Sequence, residues 1–221
     1  MPSGVRVRIE GARACFTRPE LKAERVSYPV MTPSAARGVL EAVHWKPAIR
    51  WVIDRITVLK PIRFDSLRRN EVDLKASAQV AGQAMAGKGR TELLVEDVRQ
   101  QRVTMMLRDV DYLVDAHFEM TAKAGSEDNP VKHHEMVTRR LRKGQCFHQP
   151  CLGCREFPAY VSLIEGDAPS PDAALAGPQD LGWILHDLDF ANGRQPRFFH
   201  AWMQDGVIEV PPFSQAQGAH P

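Results

Sequence analysis

Apolar and polar positions alternate near the start of the chain, with Val5, Val7 and Ile9 set against Arg6, Arg8 and Glu10. A period of two predicts a strand with one buried face. Over residues 33–45 the period changes. Ala36, Val39, Leu40 and Val43 fall on one helical face, with Thr32 placed to cap the helix and Pro33 to open its first turn. Pro47 ends this helix, because the residue before a proline is pushed out of the helical region. Residues 51–60, rich in β-branched side chains, predict a second strand.

Residues 62–107 keep no period. The stretch 81–90, with Gly82, Gly87 and Gly89, predicts a loop between two arms of an extended hairpin. Val110, Tyr112, Val114, Ala116, Phe118 and Met120 then alternate with polar neighbours, the clearest strand pattern in the chain. Asn129 and Pro130 predict a helix start, and Gly144 ends that helix after about residue 143. Residues 156–164 predict another strand. The order β-α-β-β-α-β is the ferredoxin-like arrangement, found in RNA-recognition modules and in many unrelated proteins.

Residues 166–181 read as a linker. Strands follow at 183–190, 197–203 and 207–210, with Asp205-Gly206 as a hairpin turn between the last two. The expected fold is therefore α+β. Residues 1–166 form a ferredoxin-like, RNA-recognition-motif-like domain with a long hairpin insert, and residues 167–221 form a small antiparallel β domain packed on it.

With 221 residues, 43% hydrophobic and 25% charged, the composition is that of an ordinary folded protein. No apolar run is long enough to cross a bilayer, and the start of the chain has no apolar signal core, which places the protein in the cytoplasm. The net charge of +2 does not announce a polyanion binder, but charge is unevenly spread. Residues 129–143 carry five cations (Lys132, Arg139, Arg140, Arg142, Lys143) against Glu135 alone, and Lys60, Arg63, Arg68 and Arg69 face only Asp65. Such stretches either bind phosphate by releasing counterions or form solvated faces.

Lys132 and His133 fall in the first turn of the helix that Asn129 caps, where free backbone N–H groups favour a phosphate. A lysine there steadies negative charge, and a histidine moves protons near neutral pH. RNA carries its own nucleophile, the 2′-hydroxyl, so those two functions suffice for cleavage without a metal. The simpler reading has His133 packing over Val137 and Leu141. His44 ends the first helix. Two helices covering one sheet face in antiparallel directions bring that end towards the start of the second helix, and so towards His133. Alone, His44 fits a helix-end residue that caps carbonyls. Cys146, His148, Cys151 and Cys154 are ligand types that suit zinc, but they lack the distant second pair of a structural site, and reduced thiols in a turn leading into a strand are the favoured reading. The carboxylates form no convergent set for a two-metal nuclease.

The stretches 36–56, 58–63 (Val58-Leu59-Lys60-Pro61-Ile62-Arg63), 68–72 (Arg68-Arg69-Asn70-Glu71-Val72) and 152–157 (Leu152-Gly153-Cys154-Arg155-Glu156-Phe157) resemble the CRISPR-associated Cas-five-d family of subtype I-C systems. The helix end Trp45-Lys46-Pro47 carries the most specific part of the likeness, which extends over essentially the whole chain. The resemblance implies an RNA-recognition-like N-terminal domain and a small C-terminal β domain. It implies an endoribonuclease that cuts precursor CRISPR RNA within the repeat, uses no metal or other cofactor, and leaves a 2′,3′-cyclic phosphate. It also implies that the protein stays on the 5′ handle as a subunit of the crRNA-guided complex.

The family's proposed catalytic set is a tyrosine just before Trp-Lys-Pro together with a Lys-His pair. Lys132 and His133 match the pair, and His44 stands where the tyrosine is expected. The expectation is that His44 and His133 share acid and base work while Lys132 steadies the phosphate. Arg139, Arg140, Arg142 and Lys143 are candidates for holding the repeat stem, with Arg68 and Arg69 as further candidates. The alternatives are a non-catalytic scaffold that caps the 5′ handle and a zinc-dependent binding module. A basic surface also admits duplex DNA.

Overall fold

Val5, Val7 and Ile9 are buried on strand β1 (Gly4–Ala14), and the arginines between them reach across to β4 (Arg99–Met120). Arg8 grips Asp111 with two hydrogen bonds of 2.9 and 2.6 Å, and Arg6 holds Asp115. This computed structural model describes residues 4–21, 23–75, 77–92 and 94–218. β1 runs antiparallel to β4 with Val7 opposite Val114, and β4 runs antiparallel to β2 (Ile49–Val58) with Ile53 opposite Ala116. The short strand β5 (Tyr160–Leu163) closes the far edge against β1. These four strands stand in the order β5-β1-β4-β2, all antiparallel.

Helix α1 (Pro33–Val43) is capped by the Thr32 hydroxyl, which accepts from the Ala35 N–H, and buries Ala36, Val39, Leu40 and Val43. It ends at Val43 rather than at 45, because His44 already has extended backbone and its carbonyl accepts from the Trp51 indole. The hairpin expected within 62–107 is present, and its arms are regular strands: β3 (Phe64–Val72) pairs with the first half of β4, from Phe64 opposite Leu107 to Val72 opposite Arg99. Two short helices, α2 (Ala78–Met85) and α3 (Val95–Val98), lie between the arms and bury no residue. β3 shows no apolar period because its half-covered face, which holds Leu67 against the core, otherwise carries Asp65, Arg69 and Glu71. Helix α4 (Pro130–Arg142) is capped by Asn129 and buries His133, Val137 and Leu141 along one face.

After α4 the chain returns to β1, where the Cys15 N–H donates to the Leu152 carbonyl. Gly153 is required at this approach: its φ is +84°, and a Cβ would lie 2.0 Å from the Cys15 carbonyl oxygen. The strand expected over 156–164 is shortened to β5, since residues up to 158 complete this turn, with Cys151 bridged to Pro158.

The C-terminal strands β6 (Pro178–Asp189), β7 (Gln195–Gln204) and β8 (Val207–Glu209) continue the sheet edge to edge. β8 pairs with β2, Ile208 opposite Ile56, so the sheet reads β5-β1-β4-β2-β8-β7-β6 and the core runs on through Ile184, Phe199, Met203 and Ile208. The turn at Asp205-Gly206 has both residues at positive φ, 52° and 82°, the geometry that matches strand twist in a two-residue hairpin. Among the described residues, no helix is long and apolar enough to cross a membrane.

Candidate active site where two helix ends meet

Three of the last four carbonyls of α1 accept hydrogen bonds, two of them from distant parts of the chain. Ala42 accepts from the backbone N–H groups of Phe147 and His148, and Val43 accepts from the Arg140 guanidinium at 2.6 Å. Leu40 accepts from the His44 N–H at 2.8 Å, and His44 itself from Trp51 Nε1 at 2.9 Å. These bonds fix the helix end and bury the His44 ring completely, at 0% exposure.

His133 sits in the first turn of α4 with 1% exposure, edge-on to Phe118, whose ring meets Trp51 in turn. His44 Nε2 lies 3.1 Å from His133 Nδ1, and His133 Nε2 lies 3.1 Å from Asp128 Oδ1. The two helix ends therefore bring His44 and His133 together, and His133 also begins the buried stripe of Val137 and Leu141. Its packing and its polar contacts coexist.

The protonation pattern follows from the neighbours. Burial, then the positive field of Arg140, lowers the His44 pKa to about 4, so this imidazole is neutral at pH 7. The Gly125 N–H, and after it His133, holds the Asp128 carboxyl below its usual range, so it is ionised. A carboxylate only accepts, so His133 Nε2 donates to Asp128. The contact between His133 Nδ1 and His44 Nε2 holds a single proton, carried by one ring or the other. His44 Nδ1 is buried and without a hydrogen-bond partner among the described residues. The result is a hydrogen-bonded chain from His44 through His133 to the Asp128 carboxylate.

Lys132 is exposed, and its Nζ donates to the Glu127 carbonyl at 3.0 Å. Lys132 Nζ and His133 Nε2 thus both close on the 127–128 segment. Asp128 was not singled out by sequence reasoning, which found no convergent set among the carboxylates. Its signal was its position just before the Asn129 cap, which lets its carboxylate fold back on the first turn of the helix.

The cationic candidates separate. Arg139 and Lys143 on and after α4, and Arg68 on β3, are exposed and form no ion pair among the described residues. Arg140 is spent on the Val43 carbonyl, Arg142 is doubly bonded to Glu165, and Arg69 is held by Glu156 and Glu71. Cys154 meets Cys15 rather than Cys146 or His148: its thiol donates to the Cys15 carbonyl at 3.7 Å, and the neighbouring Cys15 side chain lowers its pKa to about 6. All four cysteines are free, and among the described residues no three His, Cys, Asp or Glu side chains are arranged to hold a metal ion. A groove of about 830 Å³ opens beside Trp45 and Phe190, but its walls carry Glu41, Asp54, Glu119, Asp187 and Asp189 against Arg37 and Arg50, which suits no polyanion.

A family model for Cas5d, described as CRISPR-associated protein (Cas_Cas5), matches residues 4–211. The chain is 55% identical to a protein of Mannheimia succiniciproducens named CRISPR pre-crRNA endoribonuclease Cas5d, over 96% of this chain and 97% of that one. It is 43% identical to a Thermus thermophilus protein of the same name, over 94% and 91%. A solved structure titled "Crystal Structure of CRISPR-associated Protein" shares the fold with a TM-score of 0.71 at 24% identity, covering 96% of this chain and 94% of that one.

Proposed function

The chain belongs to the Cas5d family of CRISPR-associated proteins, and from that premise we propose that it is an endoribonuclease that cuts precursor CRISPR RNA within the repeat. It works in the cytoplasm, stays on the 5′ handle, and serves as a subunit of the type I-C crRNA-guided complex. The strand order β5-β1-β4-β2 with α1 and α4 supports a ferredoxin-like, RNA-recognition-motif-like body for this task.

The observation that carries the reading is the proton chain of His44, His133 and Asp128 beside the exposed amine of Lys132. The 2′-oxygen attacks the neighbouring phosphorus, the bond from phosphorus to the 5′-oxygen breaks, and the products are a 2′,3′-cyclic phosphate and a 5′-hydroxyl. The 2′-hydroxyl passes its proton to the imidazole pair through His133, and the pair returns one proton to the departing 5′-oxygen, so the pair ends with the protons it began with. Lys132 neutralises charge that builds on the phosphate.

In the free protein the Asp128 carboxylate and the Glu127 carbonyl occupy the two groups a phosphate needs. A bound phosphate takes their place on His133 Nε2 and Lys132 Nζ, and His44 acts through His133, because its own ring is enclosed. No step in this scheme calls for a metal ion. Arg68, Arg139 and Lys143 are free to hold the repeat stem through its phosphates, and Arg69, Arg140 and Arg142 act after exchanging their present partners.

The burial of both imidazoles favours a second reading, an RNA-binding scaffold that does not cleave. Purified protein and its cognate repeat RNA in EDTA separate the two. The enzyme cuts at one position, and His133→Ala and His44→Ala each slow the cut by about 100-fold or more at unchanged fold. Cleavage by both variants at the parent rate removes the assignment, and binding without any cutting by the parent establishes the scaffold.

A further inference from the structure

We propose that Arg13, Arg63 and Arg108, with Lys60 beside them, form a second phosphate-binding site that holds the backbone of the repeat RNA far from the histidine pair. The proposal rests on the RNA reading above and adds a site to it.

Three strands build the row. Arg13 on β1 stands directly opposite Arg108 on β4. The Arg108 N–H donates to the Arg63 carbonyl at 3.0 Å, extending the register in which Phe64 faces Leu107. Adjacent strands lie about 4.8 Å apart, so three guanidinium groups start from neighbouring backbone positions. All three residues are exposed. The carboxylate among them is Asp109, already bonded to Lys60 Nζ at 2.7 Å. Lys60, Arg63 and Arg108 all lower the Asp109 pKa, which places its carboxyl within their reach. Four cations thus face one acid.

Most arginines of this protein are matched. Arg6, Arg8, Arg37, Arg55 and Arg142 each hold a carboxylate. Among the described residues, Arg13, Arg63 and Arg108 make no side-chain hydrogen bond and no ion pair. Like charges directly opposite one another on neighbouring strands cost stability. The backbone is strained at the same place, since Asp109 has a φ of +52°, a left-handed conformation unusual for a residue with a Cβ. Uncompensated charge on a strained, exposed row is relieved by an anionic ligand. Guanidinium forks match phosphate oxygens two at a time.

The row lies beyond one end of β2 and the histidine pair beyond the other, so they are about 30 Å apart along a ten-residue strand. An RNA stem of on the order of ten base-pair steps spans that length, so one folded repeat reaches both places.

The test uses full-length protein and labelled cognate repeat RNA, titrated at several KCl concentrations. For the triple variant Arg13→Ser, Arg63→Ser, Arg108→Ser, affinity at low salt falls at least about tenfold, and the slope of log K against log salt becomes shallower by roughly 2 to 3. Its Tm stays the same or rises, because repulsion has been removed. The control Arg6→Ser, Arg55→Ser, at exposed arginines already paired with carboxylates, keeps the parent slope. A triple variant with the parent affinity and slope overturns the proposal. So does unchanged RNA binding with lost assembly of the other complex subunits, which would make the row a protein contact. If the parent itself binds no repeat RNA, the functional reading falls along with this site; if the parent binds and the triple variant matches it, this site alone falls.

Discussion

The two ends of β4 carry opposite kinds of polar chemistry. Between Val110 and Phe118 the strand is core, and the polar groups near it are enclosed and paired: Arg8 with Asp111, and His133 between His44 and Asp128. Between Arg99 and Val103 no residue is buried, and β3 alongside it buries none. At the first end each donor finds an acceptor within the fold, so geometry is set before any ligand arrives. At the second, the pairs that form lie in partly solvated positions, Arg102 with Glu71 and Asp73 and Arg69 with Glu71 and Glu156, while Arg68 and Arg99 are left for water or a ligand to complete. Catalytic precision needs the first arrangement, and a site that grips and releases a flexible polyanion suits the second. The difference also predicts unequal local stability, because segments with few buried apolar contacts open most easily.

The largest effect should come from the core end. Trp51 is 2% exposed, packs edge-on against Phe118 and donates to the His44 carbonyl. Trp51→Ala should lose about 3–5 kcal/mol in urea denaturation, and Trp51→Phe, which keeps the ring but drops the hydrogen bond, about 1–2 kcal/mol. An alanine variant that unfolds at the parent urea midpoint would break the contrast between the two ends.

A pH titration sharpens it. His44 titrates near 4 in the folded protein and near 6.5 when unfolded. Between those values the unfolded chain binds the extra proton, so folding stability declines as pH falls from about 6.5 to 4. The single group accounts for up to about 3 kcal/mol. His44→Phe should flatten that part of the stability curve, measured by denaturation at pH 7, 6, 5 and 4. An unchanged slope would mean that His44 is not held neutral by its surroundings.

What the chain reveals on reading follows the same division. Helices α1 and α4 announce themselves through Thr32-Pro33 and Asn129-Pro130, because caps act locally. β1 and the second half of β4 show a clean period because one face is buried. Those features were enough to expect His44 near His133, since both mark helix ends. β3 left no apolar pattern, because its half-covered face is filled mostly by charged residues, Asp65, Arg69 and Glu71, with Leu67 alone on the core. Asp128 and the Arg13–Arg108 pairing were illegible for another reason: one depends on a loop folding back by a few ångström, and the other joins residues far apart in the chain through strand register. Charge counting along the sequence grouped Arg69 and Arg142 with the free cations, although Glu156 and Glu165 neutralise them in space.

The smallest effect should come from removing the tip of the hairpin. The Asp73 N–H donates to the Val98 carbonyl at 2.9 Å, so the two arms are still in register where the helical insert begins. Replacing residues 74–97 by Asn-Gly gives the two-residue turn that antiparallel arms accept without splaying. α2 and α3 bury no residue, so no core contact is lost. Shortening the loop lowers the entropy cost of closing it, by about 0.6 kcal/mol for each halving, so stability should hold or rise by roughly 1 kcal/mol. Urea denaturation of the shortened protein beside Trp51→Ala puts both ends of β4 on one scale. A loss of several kcal/mol on removing the tip would show that the arm belongs to the same cooperative unit as the core, and the arginine row at its base would then sit on a rigid platform rather than at the edge of one.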